Sequence, residues 1–170
     1  MKRRTHHLIS TAVTSAVLAA SAVVAQPAHA ATSYESDGCT STDNRYCFAI
    51  FYNSRSENTW LGGGSCYIAN KSVPDHYGYS PNGAVLVRLV FAYQNIYGTS
   101  SCKDDSGEGQ PIKNNAASVA NGECSVMNTV YFNSGYLGTS QSFYAYCGEY
   151  TWAENLKTGL KNENASHKRS

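Results

Sequence analysis

Val130-Tyr131-Phe132-Asn133-Ser134-Gly135-Tyr136-Leu137-Gly138 is the stretch on which the reading of this chain turns. Its first half has an echo at Ile50-Phe51-Tyr52-Asn53-Ser54. Both copies run β-branched residue, aromatic, aromatic, Asn, Ser. A second pair of similar strings follows in the same order: Lys113-Asn114-Asn115-Ala116-Ala117-Ser118 after the first copy, and Lys161-Asn162-Glu163-Asn164-Ala165-Ser166 after the second. Two ordered pairs imply an internal duplication. The spacing is unequal, because Ser54 to Lys113 is 59 residues whereas Ser134 to Lys161 is 27. The first unit (about 46–121) therefore carries an insertion of about 32 residues, expected largely within 70–109, and the second unit spans about 124–168.

Around the repeat the residue mix is that of strands and turns, with 13 Tyr and 14 Gly. Aromatic and β-branched residues suit strands, and Asn and Gly supply turns, so the expected fold class is all-β. Strands are expected at Tyr46–Tyr52, Cys66–Ile68, Ser125–Phe132 and Gln141–Tyr146, with a return strand starting near Trp60. Ala84–Tyr93 is the longest apolar run outside the N-terminus and reads as a strand buried on both faces. Residues 31–45 are polar and read as an N-terminal arm.

Residues 1–30 have the form of a secretory signal: Lys2, Arg3 and Arg4, an apolar run to Val24, and Ala28-His29-Ala30 before the expected cleavage. The mature part, 31–170, is one domain large enough to bury a core. The signal carries three of the 13 basic residues, leaving ten against 12 acidic ones. With no basic run, nucleic acid and anionic membrane are poor partners, and a monomer is expected. All six cysteines (Cys39, Cys47, Cys66, Cys102, Cys124 and Cys147) lie in the mature part. An even count in an exported chain implies three disulfides. Cys39–Cys47 suits a local staple, and Cys66 and Cys147 sit at similar points of the two units, but the pairing stays open among 15 alternatives.

Catalytic machinery is hard to assemble from what remains. Only His76 and His167 are available as imidazoles in the mature part, and no G-x-S-x-G or H-E-x-x-H string occurs. Asp104, Asp105 and Glu108 could offer a carboxylate pair, but they read as a solvated acidic loop. The chain is expected not to be an enzyme and to require no cofactor.

Tyr131, Tyr136 and Gly138 follow the pattern aromatic, four residues, aromatic, one residue, Gly, which resembles the βγ-crystallin Greek-key motif. The resemblance implies a β-sandwich of two Greek-key motifs, with a folded hairpin that needs a positive-φ glycine and a late serine, Ser118 or Ser166, pinning it. The first unit departs from the pattern: counted from Phe51, the matching positions are Ser56 and Asn58. Microbial members of that fold bind calcium through Asn/Asp-rich segments ending in Ser or Thr. On that resemblance Asn114, Asn115 and Ser118, with Asn162, Asn164 and Ser166, form candidate weak calcium sites; the alternative is that these side chains only fix tight turns.

The whole combination of signal, Cys-rich start, aromatic-Asn-Ser strand ends and Lys-Asn-x-x-Ala-Ser segments resembles the secreted actinobacterial metalloproteinase inhibitors of Streptomyces type. The resemblance covers Cys47 to about Asn70 and Ile112 to His167 and omits the insertion. It implies an extracellular peptidase inhibitor, with an extracellular metallopeptidase as partner, acting through a rigid loop that blocks the protease cleft. Candidates for that loop lie among Ser72, Val73, Pro74, Asp75, His76 and Tyr77, since Cys66 and Cys102 flank the insertion. The alternatives are a non-inhibitory βγ-crystallin module that binds calcium or resembles killer-toxin-like proteins, and a carbohydrate-binding module.

Overall fold

The computed structural model describes residues 31–57, 61–96, 99–100, 102, 104–148 and 152–170. The expected signal at 1–30 and the strand start expected near Trp60 therefore lie outside the described residues. The strands in chain order are β1 (Ala31–Glu35), β2 (Asp37–Gly38), β3 (Phe48–Asn53), β4 (Gly63–Ala69), β5 (Gly78–Tyr79), β6 (Val85–Leu89), β7 (Asn95–Ile96), β8 (Thr99–Ser100), β9 (Ser118–Asn121), β10 (Asn128–Asn133), β11 (Leu137–Phe143), β12 (Glu154–Asn155) and β13 (Ser166–Arg169). The fold is all-β, apart from a short 3-10 turn at Asn44–Tyr46. The sheets are β12-β9-β3-β4-β2, β11-β10-β13 and β1-β6-β5, with a β7–β8 ribbon.

The two copies of the aromatic-aromatic-Asn strand are β3 and β10, and they pair in the same way. Each forms an antiparallel hairpin with the next strand, and the register shifts after Phe51 in one and after Tyr131 in the other. Each also pairs on its other edge with the late strand of its unit, Phe51 opposite Ser118 and Tyr131 opposite Ser166. The third segments are exchanged. Glu154–Asn155 of the second unit pairs with β9 of the first, and Val73 of the first unit bridges His167 of the second. This exchange lays the apolar faces together, so that Phe48, Ile50, Tyr67, Phe91, Ile112, Val119, Val130, Phe143 and Leu160 form one core.

The first hairpin keeps the glycine that a count along the chain misses. Asn53 pairs with Gly63, and Asn133 with Leu137, so Gly64 corresponds to Gly138. Both have positive φ, +73° and +79°, and an added Cβ would meet Asn53 Nδ2 at 3.1 Å or Asn133 Nδ2 at 3.0 Å. Only glycine takes that backbone at low cost while lying so close to the Asn side chain. The same alignment places Cys66 opposite Phe51 and Ser140 opposite Tyr131, so the counterpart of Cys66 is Ser140 rather than Cys147.

The sulfur atoms pair as Cys39–Cys47, Cys66–Cys102 and Cys124–Cys147. Three disulfides fit an oxidising, extracellular environment, and no described helix is long and apolar enough to cross a membrane.

Two expectations need correction. The apolar run is buried only at Leu89, Val90 and Phe91, while Val85 to Arg88 are half-exposed. The reason is that β6 leaves the core sheet to sit between β1 and β5. The polar arm, in turn, forms β1, which runs parallel to β6 from Ala31 opposite Val85 to Glu35 opposite Leu89.

Candidate functional site

The insertion builds a projecting hairpin. Gly78 and Tyr79 of β5 pair with Arg88 and Val87 of β6, and Ser80 to Ala84 connect them in full exposure. The connection is held by its own side chains. Asn82 Oδ1 accepts from the amides of Ala84 (3.0 Å) and Val85 (3.2 Å), and the Ser80 hydroxyl donates to the Val85 carbonyl (2.8 Å). Pro81 restricts the backbone further. An Asx-type turn of this kind holds the loop's shape without a partner.

The root of the hairpin is braced. The Arg88 guanidinium lies 3.7 Å from the centre of the Tyr77 ring. The Tyr79 hydroxyl donates to Glu35 Oε2 at 2.7 Å, and Lys71 Nζ donates to Glu35 Oε1 at 3.0 Å. Burial pushes the Glu35 carboxyl up, but the Tyr79 hydroxyl and the Lys71 ammonium outweigh it and hold it below the ordinary carboxylate range. Beyond the root, Cys66 and Ala92 exchange backbone hydrogen bonds of 3.1 and 3.0 Å, and the Cys66–Cys102 bridge closes the insertion. Tyr34, Tyr77 and Tyr79 stand exposed around the base. A cleft of about 210 Å³ lies behind it, lined by Tyr67, Val73, Pro74, Tyr79 and Leu89 among others.

Of the six inhibitory-loop candidates, Val73 and His76 are buried and face the interior, so neither side chain can touch a partner. Ser72, Pro74 and Tyr77 are exposed, and Asp75 is half-exposed and paired with Lys113 at 2.9 Å. The freely projecting segment lies just beyond them, at Ser80–Ala84. Its sequence signal was present in Ser80-Pro81-Asn82-Gly83, which is turn chemistry at a hairpin tip.

Of the six calcium candidates, Asn114, Asn115 and Asn162 line two clefts related by the duplication, while Ser118, Asn164 and Ser166 are buried and line neither. Tyr52, Asn53 and Ser54 in one are answered by Phe132, Asn133 and Ser134 in the other; Asn115 and Ala117 are answered by Glu163 and Ala165; Lys161 and Asn162 are answered by Lys113 and Asn114. Asn114 and Asn162 both have positive φ, 60° and 58°, and their amides cross reciprocally to the carbonyls of Asn164 and Ala116, each at 2.8 Å. The Ser118 and Ser166 hydroxyls donate to the carbonyls of Asn53 and Asn133, both at 2.7 Å, so each pins its hairpin. Asn164 is fully buried and its side chain is spent on Ala116, Ile112 and His76.

Each cleft also contains a lysine that sequence reading passed over. Lys161 Nζ donates to Ser54 Oγ at 2.7 Å, and Lys113 Nζ donates to Ser134 Oγ at 2.9 Å. A primary ammonium inside each cleft opposes entry of a divalent cation. Among the described residues no group of three or more His, Cys, Asp or Glu side chains converges on a metal position. Calcium at about 10 mM is therefore expected to move the melting temperature by less than about 1 °C, as scanning calorimetry would read. A clear upward shift would mean that an ion displaces the ammonium groups.

Comparison of the chain with family models, with curated proteins and with solved structures finds no match.

Proposed function

We propose that the mature chain is a secreted, βγ-crystallin-like inhibitor of metallopeptidases, which lays the Ser80–Ala84 loop into the cleft of an extracellular protease. The observation that carries the reading is the preorganised loop: exposed throughout, closed by Asn82 and Ser80, and rooted on two paired strands. An inhibitor loop that keeps its shape when free loses little conformational entropy on binding. Exposed tyrosines at the base are residues that enrich protein interfaces. The crossed third segments, the Gly64 and Gly138 positions and the pinning serines support the βγ-crystallin-like Greek-key build. The basic start and apolar run of the leader, together with three disulfides, support export. The choice of metallopeptidases rests on the family resemblance of the repeated strings.

The test is a titration of a thermolysin-like metallopeptidase with the purified mature protein, alongside a subtilisin-like serine peptidase. Loss of metallopeptidase activity at stoichiometric ratio is expected. Replacing Ser80–Ala84 by a Gly/Ser segment of equal length should weaken inhibition by about 100-fold, because loop order and shape are both lost. An undiminished protease at excess inhibitor overturns the reading and leaves a non-inhibitory module of the same build.

A further inference from the structure

We infer that the buried His76–His167 pair is an acid-operated latch on the segment that roots the projecting hairpin. The two imidazoles come from different units. His76 lies on the third segment of the first unit and His167 on β13 of the second, and both are fully buried. Their protons can be arranged in one way. Asn164 Oδ1 accepts from the Ala116 amide at 2.9 Å, so Asn164 Nδ2 is the end that faces His76 and must donate to His76 Nδ1 at 2.8 Å. His76 Nε2 then carries its proton and donates to His167 Nδ1 at 2.9 Å. His167 Nε2 donates in turn to the Lys71 carbonyl at 3.0 Å. Both rings are neutral, and every ring nitrogen is used.

An added proton on either ring has no place in this chain. On His167 Nδ1 it would face the His76 N–H, and on His76 Nδ1 it would face the Asn164 amide. The surroundings do not compensate. Lys71 and Lys113 are the charged neighbours, and their carboxylate partners, Glu35 and Asp75, are committed to them at 3.0 and 2.9 Å. From β3 the only ring contact is Phe48, 5.2 Å from His167, and from β10 Val130 lies opposite it. Burial accordingly lowers His76 well below its ordinary value, helped by the field of His167, and burial lowers His167 to about 4.

The other half of the molecule supplies an internal control. The Leu156 amide bonds to the Ala117 carbonyl at 3.0 Å, as the His76 amide bonds to the Ala165 carbonyl at 2.8 Å. Val119 faces Glu154 as His167 faces Val73. The positions of the two histidines are thus filled by Leu156 and Val119, both buried and apolar. The crossover can be built without imidazoles, and only one of the two copies has a titratable interior. Because the free imidazole titrates near 6.5, an opened segment takes up protons that the closed one refuses, and acid favours opening. The effect begins as pH falls below 6.5 and, for His167, is complete near 4.

Native-state hydrogen exchange, corrected for intrinsic rates, tests this without reference to any protease. Between pH 7.5 and 5.0 the opening constant read at the amides of Val73, His76 and His167 should rise by about 30-fold for each imidazole that titrates. Protection of the Leu156 amide, at the other crossover, should hold. The variant His76→Leu with His167→Val, which copies the other half, should lose the pH dependence. Should it fail to fold, His167→Gln keeps a donor for the Lys71 carbonyl, cannot titrate, and should show a smaller rise. Equal loss of protection at both crossovers, or an unchanged pH dependence in the variants, overturns the latch.

Discussion

Replacing Cys66 and Cys102 together by alanine is expected to lower stability by about 4 kcal/mol, the largest effect of any single bridge in this protein. The two positions are 36 residues apart, against 23 for Cys124–Cys147 and 8 for Cys39–Cys47. Chain-entropy estimates grow with the length of the closed loop, giving roughly 3 and 2.5 kcal/mol for the shorter two. Both Cys66 and Cys102 are also fully buried, in a small cluster with Phe51, Ile68, Ala120 and Ala153, so alanine leaves a void there. The bridge closes the insertion against the strand that pairs with β3. Loss of the bridge should therefore loosen the hairpin more than the rest of the fold. Urea unfolding of the three double-alanine variants supplies the order; a smaller loss for Cys66 and Cys102 than for Cys39 and Cys47 would show that the insertion is anchored by packing alone.

Asn164→Ala is expected to cost about 4 kcal/mol, whereas Asn115→Ala should cost about 1 kcal/mol. The Asn164 side chain satisfies three groups at once: the Ala116 amide, the Ile112 carbonyl and the His76 ring, at 2.9, 2.8 and 2.8 Å. These belong to two separate pieces of chain, the 112–116 turn and the His76 segment, and the residue is fully buried. Truncation strands the buried Ala116 amide and the buried His76 Nδ1, each worth about 1–3 kcal/mol, and leaves the Ile112 carbonyl only the Asn115 amide at 3.3 Å. Asn115 is half-exposed and bonds mainly to the nearby Pro111 carbonyl at 2.9 Å, which water can replace. Melting temperatures of the two variants decide the matter, since about 4 kcal/mol in a domain of this size is on the order of 10 °C. Comparable losses at both sites would contradict the assignment of Asn164 as the joint between the units.

That contrast shows how far the candidate sites were legible. By its letters, Asn114-Asn115-Ala116-Ala117-Ser118 matched a calcium segment better than its partner did. The structure uses Asn114 and Asn162 for left-handed turns, a role that a local string does specify, and the two serines as hairpin pins across 65 and 33 residues, a role that the family resemblance implied. What no string specifies is Asn164, whose side-chain partners are 48, 52 and 88 residues away. The lysines were overlooked for the same reason, since Lys161 meets Ser54 across 107 residues. The inhibitory-loop candidates lie in the insertion that carries the hairpin but end at Tyr77, before the exposed Ser80–Ala84 connection. Two of them, Val73 and His76, are drawn inside by pairing with the opposite unit.

A count along the chain misplaces the glycine of the first hairpin, because the two loops differ in length. Nine residues separate Asn53 from Gly63, but three separate Asn133 from Leu137. Equal spacing from the aromatic residue therefore lands on Asn58, six residues short of the glycine that does the same work, Gly64.

Sequence alone determined the all-β class, the duplication and the strand-end Asn-Ser turns, because alternation, turn chemistry and short repeats act over a few residues; the pinning serines came from the family resemblance. Tertiary structure alone decided which cysteines join, that the third segments are exchanged, that each Asn-rich cleft holds an ammonium, and that two histidines 91 residues apart share one proton chain. Those outcomes depend on which distant backbones the core brings within 3 Å, and a one-dimensional pattern carries no term for that distance. The opening strand of aromatics and its echo led to the fold, while the chemistry of the molecule lies where the two copies differ.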